Sequence, residues 1–432
     1  MVDPPRPRGL WGHRDFLRLW AAQAVSAMGS RITRTALPVL AVLSLSGSPT
    51  QVAVVAALSM GPGALVGLFA GGFVDRHAKR PVLIGCDLVR AAAVATLPLA
   101  AWYGRLTIVQ IAAVAVVVGA ATALFQMADV AFLPALVERA RLIEGNTKLQ
   151  TTEAVAEIVG PAAGGGLIQA LGAPLAVLLD ALSYLWSALW LGRIAGREKL
   201  AAAATTSDGP AWRELGSGLA FAWRERRLRP LLASTVVLCL YSGIFLALYS
   251  LYLLRDLRLS TATLGWIIGM GGVGALAGTF VGPRLMAAIG LGRALAATLA
   301  GNALALALIP LAGLPGLPRF AVVALLAVNQ LVGDCFLMIY MVYGTSLRQA
   351  IVPGDRLARV NGAFQIVTGG LMPLVALLAG PLAETLGARG TFWGAAGAAC
   401  VAPFLLWFSP LRGLANLPLA EGEAPPASSP LG

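Results

Sequence analysis

The stretch TIVQIAAVAVVVGAATALFQMADVAFLP, residues 107–134, contains one formal charge, the carboxylate of Asp129. A helix needs about 20 predominantly apolar residues to cross the hydrocarbon core of a bilayer, and this stretch is long enough. Its apolar residues run continuously, whereas the strands of a membrane β-barrel alternate apolar and polar positions. The stretch therefore predicts a membrane-spanning helix.

Comparable apolar runs occur along the whole chain. The 432 residues are 58% hydrophobic and 12% charged, whereas a soluble chain carries about 25% charged residues. This composition excludes a soluble enzyme and a disordered or disulfide-stapled secreted protein. We expect an all-α integral membrane protein with twelve transmembrane helices. The predicted spans cover residues 18–43, 51–73, 82–103, 107–134, 150–170, 174–192, 231–254, 262–287, 292–312, 319–347, 359–386 and 391–409.

The basic residues indicate how the chain is oriented in the membrane. Its net charge is +12, which by itself is also typical of nucleic-acid-binding proteins. However, 24 of the 32 Lys and Arg residues lie in the two tails and the even-numbered gaps or within a few residues of them, and five lie in or at the edge of the odd-numbered gaps. Because cytoplasmic loops carry the excess of Lys and Arg, both termini are predicted to be cytoplasmic. The same distribution argues against a nucleic-acid partner.

The longest gap, residues 193–230, separates two predicted six-helix halves. Trp212, Leu215, Leu219 and Trp223 recur in it at helical spacing, which predicts an amphipathic helix lying along the inner membrane surface. The alternative is a linker helix that packs on the loops. The predicted divisions are a cytoplasmic N-tail (1–17), an N-terminal bundle (18–192), the linker (193–230), a C-terminal bundle (231–409) and a cytoplasmic C-tail (410–432).

The segment GGFVDRHAKR, residues 71–80, places charges in a tight turn after the second span. We interpret Asp75 as part of a conformational latch, since a carboxylate can accept hydrogen bonds from the N-terminal amides of another helix in one conformation only. The alternative is an ordinary cytoplasmic turn whose cations follow the positive-inside rule. The candidate latch residues are Gly71, Asp75, Arg76, Lys79 and Arg80.

Charged side chains within predicted spans are costly in a bilayer and are therefore candidate functional groups. Arg31 and Arg34 lie one turn apart on one face of the first span. They are candidates either for counter-charges to the acidic residues or for binding an anionic group. The alternative is a set of static ion pairs, such as Arg31–Asp129, that hold the helices together. The candidates for proton coupling are Asp129, Asp334, Glu153 and Glu157.

Aromatic residues recur at helical spacing on the seventh span, at Tyr241, Phe245, Tyr249 and Tyr252. They form either a stacking wall for a flat amphipathic substrate or an ordinary core stripe. The complete set of substrate-cavity candidates is Arg31, Arg34, Gln126, Tyr241, Phe245, Tyr249 and Asn329.

The fifth predicted span contains GPAAGGG, residues 160–166. Proline removes a helix hydrogen bond, and glycines let a neighbouring backbone approach closely. We therefore expect this helix to bend and to pack tightly, either as a sliding surface between the halves or as a structural helix with no moving part.

Several of these segments resemble a known family. GGFVDRHAKR is similar to the G-x-x-x-D-R-x-G-R-R signature of the major facilitator superfamily, with Ala78 in place of the usual glycine. CDLVRA (86–91), LLDALSYLWSA (178–188) and IVPGDRLARVNGAF (351–364) resemble its drug:proton antiporter group, which includes macrolide and enterobactin exporters. The resemblance implies two pseudo-symmetric six-helix bundles around a midplane cavity.

The resemblance also assigns roles to single residues. Asp75 is expected to cap the start of the eleventh helix when the cytoplasmic side is closed. The residues similar to the fifth-span signature of exporters are Gly160, Pro161, Gly164 and Gly165.

The expected function is secondary active transport, namely proton-coupled efflux of a small amphipathic drug, antibiotic or siderophore-like metabolite. We expect a monomeric, multi-pass protein of the bacterial inner membrane that has protons and a small molecule as partners. No catalytic residues, metal or cofactor are expected, and the sequence contains no GxxxxGK[ST] nucleotide cradle. Two alternatives remain open: an importer or lipid flippase on the same fold, and a non-transporting membrane sensor or scaffold.

Overall fold

The computed structural model describes residues 10–69, 71–138, 141–195 and 211–416. Within these ranges it describes the side chains at all positions other than 64, 67–69, 71, 72, 75, 211–215 and 355. Every regular element in these ranges is a helix, and they contain no strand. The expected all-α fold class is confirmed.

The helices follow the predicted spans in order. The first half contains α1 (Arg14–Val39), α2 (Pro49–Phe69), α3 (Gly71–Arg76), α4 (Lys79–Trp102), α5 (Ile108–Leu136), α6 (Leu142–Leu171) and α7 (Ala173–Gly192). The remainder contains α8 (Ala211–Arg224), α9 (Leu228–Leu251), α10 (Thr261–Ile289), α11 (Leu291–Leu311), α12 (Arg319–Ile351), α13 (Gly354–Ala399) and α14 (Val401–Trp407). Short 3₁₀ turns lie at Leu10–Gly12 and Pro410–Gly413.

By length and composition, nine helices of the described chain could cross a membrane. One of the nine runs from Arg356 to Trp407 and includes Gly387, whose φ of 72° breaks α13 into two spans. α1 and α2 lie outside the nine and occupy the first two predicted spans. Each of the twelve predicted spans therefore falls on helical chain, with the eleventh on the first part of α13 and the twelfth on its second part together with α14.

Several helices extend beyond the predicted boundaries. α6 begins at Leu142, whereas its span was predicted to begin at residue 150, and α12 ends at Ile351 rather than 347. Hydropathy detects only the apolar part of a helix. Backbone hydrogen bonds continue through the polar turns outside the hydrocarbon core, so the helices are longer than the apolar runs.

The first and seventh spans end in the same way. α1 continues into a π-helical turn at Leu40–Ser44, and α9 continues into one at Tyr252–Asp256. A residue with positive φ follows each turn, Ser46 at 48° and Arg258 at 51°. Positive φ is uncommon for residues other than glycine. Its recurrence at corresponding places agrees with the pseudo-symmetry of two six-helix halves that the resemblance implies.

The chain forms two compact units. One contains the described residues of Met1–Ser207 together with Gly243–Gly272 and Pro373–Thr391, and the other contains Asp208–Ser242, Val273–Met372 and the described residues of Phe392–Gly432. In the first unit, α1 packs on α6 and α7, α4 packs on α5 and α7, and α2 packs on α5. In the second unit, α11 packs on α12 and α14. The predicted bundle boundaries stay a prediction.

The linker contains a helix, α8, that packs against the start of α13. A Cβ on Gly218 would collide with the backbone carbonyl of Arg359, and Ala222 is fully buried in the core of the second unit. Leu219 and Trp223 are exposed. The side chains of Trp212 and Leu215 lie outside the described ones. Contact with the membrane surface stays a prediction.

Candidate functional site

An ion-pair group joins α1 to α6 in the first compact unit. Arg31 is buried and forms ion pairs with both Glu153 and Glu157. The two carboxylates lie one turn apart on α6, so a single guanidinium can bridge them. Their side chains are 50% and 48% exposed. Two carboxylates thus share one cation, and the group carries one negative charge when both are ionised.

A separate carboxylate, Asp129 on α5, contacts α1. The side-chain amide of Gln23 donates a hydrogen bond to this carboxylate. Among the described residues, no Lys, Arg or His lies within ion-pair distance of Asp129. The Arg31–Asp129 pair considered above is therefore wrong, because the guanidinium of Arg31 is directed towards α6 and bridges the two glutamates there.

The polar face of α1 continues from Gln23 to Ser30 and Arg34, which recur at helical spacing. The hydroxyl groups of Ser30 and Tyr184 form a hydrogen bond of 3.0 Å. Arg34 is exposed, and the described part of the chain contains no ion pair to it. A cation within a span is costly in lipid, and the role of Arg34 at a substrate cavity stays a prediction. Gln126 on α5 is also exposed.

A buried ion pair, which we did not predict, lies within α4. Arg90 pairs with Asp87, and both side chains are almost completely buried. The Arg90 guanidinium lies 4.3 Å from the centre of the Phe125 ring and 4.4 Å from that of Tyr184. The signal was present in the sequence, since an acid and a base three residues apart within one apolar span can pair on the same helix face.

The glycines of the fifth-span motif face α1. A Cβ on Gly160 would lie 2.5 Å from the Cβ of Arg31, and a Cβ on Gly164 would lie 3.2 Å from the Cα of Ile32. A Cβ at Gly160 would require Arg31 to shift, and a Cβ at Gly164 would be tighter than most real Cβ contacts. Both glycines therefore let α1 pack closely against α6. Gly160 in particular leaves the space through which Arg31 reaches the glutamates of α6.

The same motif also faces α10. A Cβ on Gly165 would collide with the carbonyl oxygen of Thr261 and lie 2.9 Å from the Cα of Gly265. In return, a Cβ on Gly265 would collide with the carbonyl oxygen of Pro161. Gly166 has no atom within 4 Å of its Cβ position. The close packing of this helix agrees with the prediction, and its action as a sliding surface stays a prediction.

The candidate latch segment forms α3 and the turn before α4. The backbone of Gly71 and Asp75 lies in α3, but their side chains lie outside the described ones. Lys79 donates to the carbonyl of His77 at 2.9 Å. Arg80 donates to the carbonyl of Leu191 at 2.8 Å and to that of Gly192. Arg80 therefore caps the C-terminal end of α7, and Arg76 is exposed.

Replacing Arg80 with Ala is expected to lower the free energy of unfolding by about 1–3 kcal/mol, because the last carbonyls of α7 lose a charged donor. Thermal unfolding of the detergent-purified protein measures this effect. Arg76→Ala is the matched control, since it removes an exposed arginine from the same segment. Equal unfolding midpoints for the two variants would contradict the capping role.

The candidates on α12 lie in the second compact unit. Asn329 is buried and donates to the carbonyl of Ala305 at 2.9 Å, which joins α12 to α11. A second buried amide, Asn302, donates to the carbonyl of Gly333 at 3.0 Å. Asp334 follows Gly333 and is half-buried. The Asn302 contact was not predicted, although an asparagine within an apolar run is a signal for such a contact.

The aromatic residues of the seventh span are mostly buried. Tyr241, Tyr249 and Tyr252 are buried, and Phe245 stacks on Tyr249 with ring centres 4.3 Å apart. Burial of three of the four rings favours the core stripe over a substrate wall. The roles of the individual proton and substrate candidates stay predictions.

The chain is similar to proteins that move compounds across membranes. The model of the transmembrane secretion effector family matches residues 11–427. The multidrug efflux pump Tap of Mycobacterium tuberculosis is 30% identical over 425 residues, which are 96% of this chain and 98% of the pump. Macrolide efflux protein A of Streptococcus pyogenes is 27% identical over 237 residues, which are 55% of this chain and 57% of that protein.

Solved structures share the fold at lower identity. A bacterial homologue of the iron transporter ferroportin, in an inward-facing state, has a TM-score of 0.76 at 19% identity and covers 93% of this chain and 99% of its own. The structure of a nucleoside transporter has a TM-score of 0.71 at 13% identity, and the match covers 91% of this chain and 98% of the nucleoside transporter. These likenesses confirm the expected twelve-helix architecture. With the family model matching nearly the whole length, the chain belongs to the transmembrane secretion effector family of the major facilitator superfamily.

Proposed function

We propose that this chain is a proton-coupled efflux transporter for small amphipathic molecules. Its relatives are named as pumps for multiple drugs and for macrolides, which supports export as the direction and drugs or antibiotics as the cargo class. The charge distribution supports a multi-pass protein of the bacterial plasma membrane with both termini in the cytoplasm, and we propose that it acts as a monomer. The proton gradient supplies the driving force, without a nucleotide or cofactor.

The proposal of proton coupling is based on the environment of Asp129. Its carboxylate is half-buried in a spanning helix and accepts a hydrogen bond from Gln23, with no cation at ion-pair distance among the described residues. Such a group can take up and release a proton without breaking a salt bridge. Glu153 and Glu157 instead share Arg31. We therefore assign proton uptake to Asp129 and a charge-holding role to the Arg31 group.

Protonation changes the contact between α1 and α5. An ionised Asp129 can only accept from the amide of Gln23, whereas a protonated one can also donate to the amide oxygen. Protonation also removes a negative charge close to the group formed by Arg31 and the two glutamates. The two protonation states thus favour different arrangements of the helices, which is the requirement for a proton to drive alternating access.

Two further residues belong to the proposal. Asp75 acts as the latch through its charge at the cytoplasmic turn after α2. Asp334, half-buried in α12, is the second candidate proton carrier. Each is an acidic residue whose amide variant has nearly the same size, so its role can be tested with little change in packing.

The test measures the accumulation of a panel of fluorescent compounds in cells that express the wild type or Asp75→Asn, with and without a protonophore. We expect the wild type to lower the accumulation of at least one compound, and both the protonophore and the substitution to abolish this effect. Unchanged accumulation of every compound would contradict efflux. Lower accumulation that persists with the protonophore would contradict proton coupling.

Membrane vesicles of opposite orientation test the direction of transport. An exporter accumulates its substrate in inverted vesicles when the lumen is acidic, whereas an importer or a lipid flippase on the same fold does not. Uptake confined to right-side-out vesicles would contradict export and favour an importer.

A further inference from the structure

A cavity of about 390 Å³ lies within the second compact unit, between α9, α12 and α13. This volume falls in the range of small-molecule sites, about 300–1,000 Å³. None of the candidate residues that we predicted from the sequence lines it. The polar side chains that line it are Thr235, Thr345, Arg348, Asn361, Gln365 and Thr368.

The charge in this cavity is uncompensated among the described residues. Among the described residues that line the cavity, Arg348 is the one basic residue and none is acidic. The described chain contains no ion pair to Arg348. Its guanidinium lies 4.3 Å from the centre of the Phe364 ring, which sets the plane of its donors. A guanidinium held in this way presents a flat fork that matches a carboxylate or phosphate.

The remainder of the cavity is apolar. Tyr340 and Phe364 are buried in its wall, and Leu231 and Met341 also line it. Aromatic and aliphatic side chains beside a small number of polar groups are typical of sites that bind a hydrophobic body and fix its orientation through one polar end.

We propose that this cavity binds an anionic group carried on an apolar, aromatic body, with Arg348 at the anion and Tyr340 and Phe364 at the body. The proposal rests on the proposed function only in taking this molecule as cargo. The headgroup of an anionic lipid offers the same chemistry. Binding is measured without transport, so its failure and a failure of proton-coupled efflux are distinguishable.

The test uses the full chain in phosphatidylcholine nanodiscs and two probes of equal shape, 2-naphthoate and its neutral amide, 2-naphthamide. Equilibrium dialysis gives both affinities. We expect the carboxylate to bind about tenfold or more tightly than the amide, because charge-assisted bonds to a guanidinium are about twice as strong as neutral ones. Equal affinities in the wild type would overturn the proposal.

Variants test whether the preference for the carboxylate probe over the amide probe arises in this cavity. Arg348→Gln is expected to abolish it. Gln365→Glu should do the same while keeping Arg348, because it places a carboxylate on an exposed lining position. Arg293→Gln, at an exposed arginine of α11 away from the cavity, is the matched control and should retain the preference. A preference that survives both cavity substitutions would overturn the assignment.

One further measurement separates the sources of the anion. Discs containing phosphatidylglycerol should weaken naphthoate binding if the natural occupant is a lipid headgroup, and should leave it unchanged if the occupant is a soluble compound; either result retains the anion site.

Discussion

Inverted vesicles containing Asp129→Asn are expected to lose transport driven by a pH gradient, by about tenfold or more, because the variant cannot carry a proton. The asparagine has nearly the same size and still forms a hydrogen bond with Gln23, so the contact between α1 and α5 is preserved. The measurement is uptake of a fluorescent substrate after an imposed pH jump. Full pH-driven uptake by the variant would contradict the assignment of Asp129.

Substrate exchange separates loss of coupling from loss of folding. A folded variant that has lost only the proton site should still exchange labelled for unlabelled substrate across the vesicle membrane without a gradient. Gln23→Ala keeps the carboxylate and removes the amide that joins Asp129 to α1. It should therefore lower pH-driven uptake less than Asp129→Asn does, because protonation of Asp129 still removes a charge. Asp334→Asn tests the second candidate; if this variant alone loses coupling, proton uptake belongs to Asp334.

Adding a methyl group at Gly165 is expected to destabilise the protein by about 1–3 kcal/mol and to lower its transport rate several-fold, since overpacking a tight contact costs this much. In the structure a Cβ at this position would collide with the carbonyl oxygen of Thr261. The backbone of α10 cannot move away without disturbing a contact that runs along both helices. Gly165→Ala is the variant, and the measurements are thermal unfolding and vesicle uptake.

The adjacent glycine provides the control for this prediction. Gly166 lies in the same helix, and no atom lies within 4 Å of its Cβ position. Gly166→Ala makes the same chemical change, and it should be neutral or stabilise the helix by up to about 1 kcal/mol. Similar losses in both variants would show that the motif acts through helix flexibility and would contradict the packing role.

The reciprocal substitution tests the same contact from the other helix. A Cβ on Gly265 would collide with the carbonyl oxygen of Pro161, so Gly265→Ala should reproduce the loss seen for Gly165→Ala. The double variant should lose less than the sum of the two single effects, because neighbouring sites in one contact are not additive. Strict additivity would indicate that the two glycines act independently.

The spans could be predicted because the bilayer imposes one strong rule on every segment. A helix that crosses it must be apolar over about 20 residues, and each predicted run falls on helical chain. Helix ends could not be predicted with the same accuracy. The polar turns of α6 before residue 150 belong to the helix but carry no hydropathy signal.

The candidate site was predicted as a set of residues but not as a set of contacts. Arg31, Glu153 and Glu157 were each identified by their charge within a span. Their pairing depends on Gly160 of α6, which leaves room for the side chain of Arg31 to reach the two glutamates. The Asp87–Arg90 pair lay within one predicted span and could have been inferred from its spacing. The Arg348 cavity could not, since α9, which is distant in sequence, meets α12 and α13 only in the folded chain.

The sequence by itself determined that this chain is an all-helical membrane protein with many spans, because hydropathy and charge act on each segment separately. Only the tertiary structure decided which carboxylates share Arg31 and which glycines of GPAAGGG meet another helix. Both depend on the rotation and close approach of helices far apart in the chain. Gly165 and Gly166 are neighbouring glycines that the sequence does not distinguish. In the structure Gly165 faces α10, whereas Gly166 has no atom within 4 Å of its Cβ position.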